Sequence, residues 1–265
     1  MSAYRHVVMF SGGIASWATA RRVVDRHGAD GLTLLFADTL MEDEDLYRFL
    51  DEAAADVGGT LVRVADGRTP WEVFRDVRFL GNSRVDPCSR ILKRELLDRW
   101  LAANCDPAAT TVYLGLDWTE LHRWDAAQPR WAAKGWLVEA PLTERPYRYR
   151  WEMLGDLRVR GIRPPRLYEM GFPHNNCGGF CIKAGHAQFA RLLAQMPKRF
   201  AFHEQQEEAL REALGADVAI LTDRTGGGRR PLSLREFRER TEAGGEVDML
   251  DWGGCGCFEE AEVTV

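Results

Sequence analysis

The sequence predicts an α/β protein with a doubly wound, Rossmann-like parallel sheet, followed by a mainly helical C-terminal appendage. Short apolar runs alternate with helical patterns along residues 4–142, as in repeated β-α-β units. A glycine-rich turn joins the first apolar run to the first helix, at the sheet edge where such folds bind ligands. Helical patterns dominate after Gly171. We therefore predict two domains, residues 1–170 and 171–265.

Each apolar run is short enough to be a buried strand, and turn residues separate it from the next helical pattern. The predicted strands are residues 4–10, 32–37, 61–64, 111–115 and 137–142. The helices predicted between them are residues 17–27, 42–57, 71–79 and 87–103. In the C-terminal part we predict helices at 182–195, 197–214 and 232–241, and a short strand at 218–221.

The composition is that of a folded protein without a strong charge preference. The chain has 265 residues, of which 28% are charged, and a net charge of −5, so nothing attracts it generally to nucleic acid or to an anionic membrane. Because the sequence has neither a signal peptide nor a long apolar run, we expect a cytoplasmic protein with no membrane partner. Six cysteines in that compartment indicate metal or redox chemistry rather than disulfides.

The turn from Phe10 to Ser16 has the features of a phosphate site. Its backbone N–H groups lie at the positive end of a helix dipole, and Ser11 and Ser16 add hydroxyl donors. Gly12 and Gly13 let a phosphate approach without meeting a Cβ. The pattern is neither the dinucleotide fingerprint nor the Walker loop. By itself it is also compatible with an ordinary tight turn.

Polar side chains follow two other predicted strands. Asp38 ends the second strand, where it can bind a ribose or a base edge, or instead cap the helix that follows. Glu120 and Arg123 follow the fourth strand at a spacing that pairs them on one helix face. That pair is either a solvated surface pair or part of a nucleotide site.

Two further segments are basic. Arg90, Lys93 and Arg94 lie within two helical turns of Cys88, where they can hold a phosphate or sulfate or simply be solvated. Between residues 145 and 166 the chain has seven arginines interleaved with Tyr147, Tyr149 and Trp151. Arginines with aromatics suit a nucleic acid or an exposed base, and an arginine-rich helix surface is the alternative.

Six sequence runs, in one order over residues 5–190, resemble the motifs of one family. They are FSGGIAS, FADT, PCSRILKREL, GLDWTELHR, PLTERPYRYRWEMLGDLRVRGI and PRLYEMGFPHNNCGGFC. The family is the phosphoadenosine phosphosulfate (PAPS) reductase-like family of the PP-loop ATP pyrophosphatase, or adenine nucleotide alpha-hydrolase, superfamily. The resemblance implies a sheet of the PP-loop type that holds an adenine nucleotide, either ATP or PAPS/APS, with Mg²⁺. The nucleotide-binding residues it implies are Phe10, Ser11, Gly12, Gly13, Ser16, Asp38, Gly115, Glu120 and Arg123.

The resemblance also bears on the cysteines, since one branch of the family holds a [4Fe–4S] cluster on a CC pair and a CxxC pair. Here Pro87 replaces one member of the first pair, and three residues rather than two separate the members of the second. The implied metal ligands are Cys88, Cys177, Cys181 and one or both of Cys255 and Cys257. Cysteine-only ligation also suits Zn²⁺, and redox-active thiols remain a third reading.

Three departures from the family pattern shape the expected activity. Ala15 and Asp117 stand where the family often has Asp and Arg, and its C-terminal Glu-Cys-Gly-Leu-His motif is absent. We therefore expect a PP-loop enzyme that adenylates a carbonyl-type oxygen with ATP, after which sulfur delivered through the cysteine-held cluster displaces AMP. The expected catalytic residues are Ser11, Ser16, Cys255 and Cys257.

Two other functions stay open at this stage. A PAPS or APS reductase would use a C-terminal cysteine as its nucleophile. A non-catalytic nucleotide-binding Fe–S sensor or assembly subunit is favoured by Ala15. The expected partners are a tRNA, DNA or nucleobase acceptor and a sulfur or electron donor protein, and the oligomeric state is left open.

Overall fold

Five parallel strands form the central sheet of the computed structural model, which describes residues 5–82, 85–225 and 228–254. The strands are β1 (Arg5–Met9), β2 (Leu32–Asp38), β3 (Thr60–Ala65), β4 (Thr110–Tyr113) and β5 (Leu137–Glu139). Their spatial order is β3-β2-β1-β4-β5, so the strand order reverses between β1 and β4. The predicted doubly wound parallel sheet is confirmed, and the reversal is where such sheets open a ligand crevice.

Helices cover both faces of this sheet. They are α1 (Ile14–His27), α2 (Glu44–Val57), α3 (Pro70–Asp76), α4 (Pro87–Ser89), α5 (Leu96–Asn104), α6 (Leu121–Ala133), α7 (Arg150–Val159) and α8 (Arg166–Glu169). Alternate residues of a strand point to opposite faces. Val8 packs with residues of α1, α2 and α7, whereas Val7 packs with residues of α5 and α6.

The C-terminal part is mainly helical, as predicted, and also contains a strand pair. It comprises α9 (His186–Gln195), α10 (Pro197–Leu214), β6 (Leu221–Asp223), β7 (Arg230–Leu232) and α11 (Leu234–Glu242), with β6 and β7 antiparallel. Phe180, Phe189 and Phe200 pack with Trp71 and Phe74 of α3 in one apolar cluster, so this part is anchored to the first. None of the helices in the described ranges combines the length and apolar character of a bilayer span.

Several predicted boundaries are wrong for identifiable reasons. Asp43, not Asp38, caps α2 by accepting from the backbone N–H of Asp45, so the capping alternative for Asp38 is excluded. The predicted helix at 71–79 ends at Asp76, because Arg78 adopts a left-handed φ of 50°. The predicted helix at 87–103 contains a π-helical stretch, Arg90–Glu95, between α4 and α5. The strand predicted at 218–221 only begins at Leu221.

Glu207 of α10 holds the C-terminal elements together from a fully buried position. One carboxylate oxygen accepts from the N–H of Ile220 at 3.0 Å and the other from the N–H of Leu234 at 2.6 Å. Desolvation by burial raises the pKa of Glu207 to about 7, although both hydrogen bonds oppose the shift.

We expect this buried acid to make stability fall with rising pH. Because the folded pKa lies above the unfolded value, the stabilisation is fully present below about pH 4.5 and is lost as pH rises through about 7. The loss is on the order of 3 kcal/mol. Thermal denaturation of the wild type and Glu207→Gln from pH 4.5 to 8 measures it. The variant should be less stable at low pH and lack this slope, whereas an unchanged slope would assign it to another group.

Candidate functional site

A cavity of about 540 Å³ opens at the carboxyl ends of β1 and β4, where the strand order reverses. Residues from four segments line it: the glycine-rich turn, the segment after β4, the start of α7 and the loop after α8. The residues that line it include Ser11, Gly13, Ile14, Ala15, Gly115, Trp118, Glu120, Arg123, Arg148, Tyr149, Arg150, Trp151, Tyr168, His174, Asn175 and Asn176. The crevice therefore brings together most of the predicted nucleotide residues.

The turn needs glycine where it approaches other backbone or core side chains. Gly12 has a left-handed φ of 73°, and a Cβ there would lie 2.6 Å from the Leu46 side chain. A Cβ on Gly115 would lie 3.0 Å from the backbone N of Ser16, so the end of β4 packs directly against the first turn of α1. The Ser16 hydroxyl donates to the carbonyl of Gly13 at 2.8 Å, and this hydrogen bond stabilises the conformation of the turn.

Two side chains from segments that are distant in sequence also form hydrogen bonds with the glycine-rich turn. The amide of Asn175 donates to the carbonyl of Gly12 at 3.0 Å. The hydroxyl of Tyr168 accepts from the N–H of Ile14, the first residue of α1, at 3.1 Å. That N–H is one of the donors that a phosphate at a helix N-terminus would use. The sequence gives no local signal for either contact.

Arginines make one wall of the cavity positive. Arg123 forms the predicted ion pair with Glu120, and its side chain is only 12% exposed. Arg150 donates to the carbonyl of Pro173 at 2.6 Å, and its guanidinium lies 4.4 Å from the ring centre of Tyr168. These guanidiniums are restrained in a concave wall, where they act on an anion more strongly than in water.

Several buried polar atoms of the cavity wall lack a hydrogen-bond partner within the part of the chain that the structure describes. Among them are the Nε1 donor of Trp118 and the Oδ1 acceptor of Asn175, which is 2% exposed. Unpaired buried polar atoms are costly, so they indicate groups that a ligand satisfies. A donor and an acceptor in one wall suit the edge of a base or a ribose hydroxyl.

His174 lines the same cavity and faces the arginine wall. The residue is exposed to solvent in the cavity, whose walls shield part of its imidazole. Desolvation, with smaller effects from Arg150 and Arg123, lowers the pKa of His174 to about 4. The imidazole is therefore neutral at pH 7, and the positive charge of this wall comes from the guanidiniums.

An anionic ligand in this cavity should raise the pKa of His174. A bound phosphate favours the protonated imidazole, so affinity should increase as pH falls from 6 towards 4. NMR titration of the imidazole C2 proton with and without ATP measures the shift, and His174→Gln identifies the resonance. An unchanged His174 pKa at saturating ATP would place the anion elsewhere.

Some residues predicted for the nucleotide lie outside the cavity wall. The side chain of Phe10 is buried beneath the turn in the core. Asp38 accepts from the N–H of Leu40 at 2.8 Å and from the hydroxyl of Tyr47 at 2.9 Å, which fixes the end of β2. Their roles towards a nucleotide remain predictions.

The predicted cysteines gather at a second, smaller cavity of about 30 Å³. Its wall combines three thiols with two lysines, a carboxylate, two hydroxyls and apolar side chains: Cys88, Cys177, Cys181, Lys93, Lys183, Asp86, Thr39, Ser89, Pro70, Phe180 and Ile182. Of the predicted basic residues only Lys93 reaches this wall. Arg90 pairs with Glu95 at the surface and Arg94 pairs with Asp86.

A buried acid connects this cavity to the sheet. Glu42 is 8% exposed, accepts from the hydroxyl of Thr39 at 2.9 Å and lies 3.9 Å from the Lys93 Nζ. It also accepts from the backbone N–H of Cys177, which has a left-handed φ of 50° that non-glycine residues rarely adopt. The sequence did not reveal this role, because Glu42 stands in an acidic run that we predicted to begin a helix.

The two cavities share one loop. His174, Asn175 and Asn176 line the large cavity, and the next residue, Cys177, lines the small one. The end of the described chain also reaches the small cavity, because the N–H of Gly254 donates to the carbonyl of Lys183 at 3.0 Å. The predicted ligands Cys255 and Cys257 follow and lie outside the described residues.

The thiols suit a soft metal or an iron–sulfur cluster by their chemistry. Within the described ranges, however, no three or more Cys, His, Asp or Glu side chains are arranged to hold a metal ion. The predicted cluster, its zinc alternative and the Mg²⁺ expected with the nucleotide therefore remain predictions.

Comparison with known proteins finds similarity among solved structures. No family model matches the chain, and no curated protein matches it. Among solved structures, the phosphate complex of phosphoadenylyl-sulfate (PAPS) reductase from Candida auris is similar to it, with 16% sequence identity and a TM-score of 0.44. The match covers 65% of this chain and 79% of that one. At this level the similarity says nothing about the substrate.

Proposed function

We propose that this protein is a PP-loop enzyme that uses ATP to adenylate a carbonyl-type oxygen, which sulfur then replaces. One observation carries the proposal. The loop of residues 173–177 closes a cavity built on a phosphate-type turn and, one residue later, supplies a thiol to a second cavity. Nucleotide chemistry and thiol chemistry are thereby adjacent on one rigid segment.

The triphosphate would lie on the N–H groups of Gly13 and Ile14, with Arg123 and Arg150 opposite. The two guanidiniums are held in place before the nucleotide arrives, so they stabilise charge on the leaving pyrophosphate. The N–H of Ile14 becomes available when the Tyr168 hydroxyl releases it. Mg²⁺ would share this role, although Ala15 offers it no side-chain ligand. The Nε1 of Trp118 and the Oδ1 of Asn175 would pair with the nucleoside.

The proposed reaction has two steps. The acceptor oxygen attacks the α-phosphorus, the bond to the bridging oxygen of the β-phosphate breaks, and pyrophosphate leaves. A sulfide-level sulfur from a donor protein then attacks the activated carbon. The C–O bond breaks, AMP carries the oxygen away, and a proton is lost as the C=S bond forms.

The thiol cavity is the proposed place for the sulfur. Cys88, Cys177 and Cys181 would hold a [4Fe–4S] cluster as its three protein ligands. When bound with three protein ligands, such a cluster supplies an iron with an open position for sulfide. Lys93 lies 3.9 Å from Glu42 and Lys183 lies 3.8 Å from Asp86, so each lysine already faces a buried carboxylate. Phe180 and Ile182 limit water.

A second candidate is reduction of PAPS or APS by a cysteine nucleophile. The contact of Gly254 with Lys183 favours it, because Gly254, which precedes Cys255 in the sequence, lies beside the thiol cavity. The missing family motif for that nucleophile speaks against it. A sensor or assembly subunit would use the same nucleotide cavity without turnover.

Product analysis with radiolabelled nucleotides separates these functions. With ATP labelled at the α-phosphate, sulfide and a candidate acceptor, the proposal predicts AMP and pyrophosphate in equal amounts. Sulfite from PAPS without ATP would establish the reductase instead. Tight ATP binding with no ATP turnover across acceptors, together with no sulfite from PAPS, would support the sensor and contradict both enzymes.

A further inference from the structure

Four aromatic side chains form a continuous strip at the mouth of the large cavity: Trp118, Tyr147, Tyr149 and Trp151. Trp118 stacks on Tyr147 with ring centres 5.5 Å apart and meets Tyr149 edge-on at 5.4 Å. Tyr149 and Trp151 are nearly parallel, 12° apart, with ring centres at 6.3 Å. Trp151 is 71% exposed, Tyr149 52% and Tyr147 42%. Such a concentration of open aromatic faces indicates a binding surface.

Most arginines of the same segment form ion pairs, and Arg148, between Tyr147 and Tyr149, pairs with Asp156 at 2.6 Å. Arg160, Arg163 and Arg166 form ion pairs with acidic residues of α2 and its cap, so they serve packing. Arg145 and Arg150, at either side of the strip, form no ion pair with any described residue. Arg145 instead lies 5.5 Å from the ring centre of Tyr147. The strip is therefore flanked by positive charge that the described residues leave unneutralised.

We propose that the strip binds a single-stranded nucleic acid and presents one of its bases to the cavity as the acceptor. This inference rests on the proposed function and specifies its acceptor. Exposed rings offer stacking faces to bases of any sequence, while the arginines contact the phosphates between them. Tyr149 and Trp151 also line the nucleotide cavity, so a base stacked there lies beside the site of adenylation.

Exposed rings beside guanidiniums favour a polynucleotide over an acidic protein partner, because bases offer stacking faces that carboxylates lack. The net charge of −5 gives the chain no general attraction for a polyanion, so binding depends on the strip. A duplex hides its base faces, whereas a single strand exposes them. The strip should therefore prefer single strands to duplexes.

Fluorescence anisotropy with labelled 12-nucleotide single-stranded RNA, single-stranded DNA and the DNA duplex tests the proposal on the full-length protein. We expect binding of a single strand in low salt and weaker binding of the duplex, and the RNA and DNA arms identify the acceptor polymer. Trp151→Ala should weaken binding about tenfold or more. Arg145→Gln should reduce the slope of log K against log salt by about 0.7. Phe202→Ala and Arg235→Gln, exposed residues of α10 and α11, are the matched controls.

Each result decides the proposal. Absence of binding, equal loss in the control variants, or equal binding of an acidic peptide would overturn it. If ATP competes with the strand and Trp151→Ala weakens only ATP, the strip holds the adenine ring and the proposal is also wrong. ATP turnover is measured separately, so its failure with intact strand binding would refute the proposed function alone.

Discussion

Replacing Arg123 with glutamine should weaken ATP binding about a hundredfold while the fold persists. The guanidinium is nearly buried in the cavity wall and is paired with Glu120. Its removal deletes a charge-assisted contact to phosphate and also leaves the Glu120 carboxylate uncompensated beside an anion. Isothermal titration with ATP measures the affinity, and thermal denaturation confirms that the variant is folded.

A double variant shows whether the remaining carboxylate causes part of this loss. Glu120→Gln combined with Arg123→Gln should bind ATP more tightly than Arg123→Gln alone, because the repulsion is gone. The coupling between the two sites follows from the cycle of single and double variants. Wild-type affinity in Arg123→Gln, or a double variant that binds no better than the single one, would contradict the placement of phosphate at this wall.

Cys177→Ser should abolish formation of the thiolated product but retain AMP and pyrophosphate release in the first turnover. The thiol lies in the small cavity, whereas the nucleotide cavity ends one residue earlier at Asn176. Serine keeps the size of the side chain and removes its soft sulfur. Cys88→Ser and Cys181→Ser should behave in the same way, and product analysis by mass spectrometry measures the effect.

Cys105 is the matched control for these substitutions. It packs in the core cluster beneath α5 and α6, and burial raises the pKa of its thiol, so we expect no role in transfer. In anaerobically purified protein, iron and sulfide should be lost in the three cavity variants and retained in Cys105→Ser. Equal iron content in all four variants would show that these thiols do not bind a cluster. Stoichiometric zinc in a colourless protein would exclude redox chemistry at the thiol cavity.

The central sheet could be predicted because its information is local. Successive side chains of each strand point to opposite apolar faces of the sheet. Gly12 and Gly28 lie on either side of the first helix and mark its limits. The strand β6 was predicted three residues too early, and β7 and its pairing with β6 were not predicted, because so short a pair of strands carries little periodic pattern. The π-helical stretch after Ser89 leaves the side-chain pattern of a helix unchanged, so the sequence did not reveal it.

The site could be predicted only where its residues belong to local motifs. Ser11, Gly13 and Arg123 were found in this way, and the structure places them around one cavity. Asn175 and Tyr168 were not found, because they act on the turn across more than 150 positions of the chain. The difference between paired and unpaired arginines after residue 144 likewise depends on acidic residues of α2, far away in sequence.

A crystal structure of the protein with a non-hydrolysable ATP analogue tests the central claim most directly. The account predicts the phosphates on the N–H groups of Gly13 and Ile14, with the Arg123 guanidinium opposite and the loop of residues 173–177 closed over them. A nucleotide bound elsewhere, with the N–H of Ile14 still bonded to the Tyr168 hydroxyl, would contradict it.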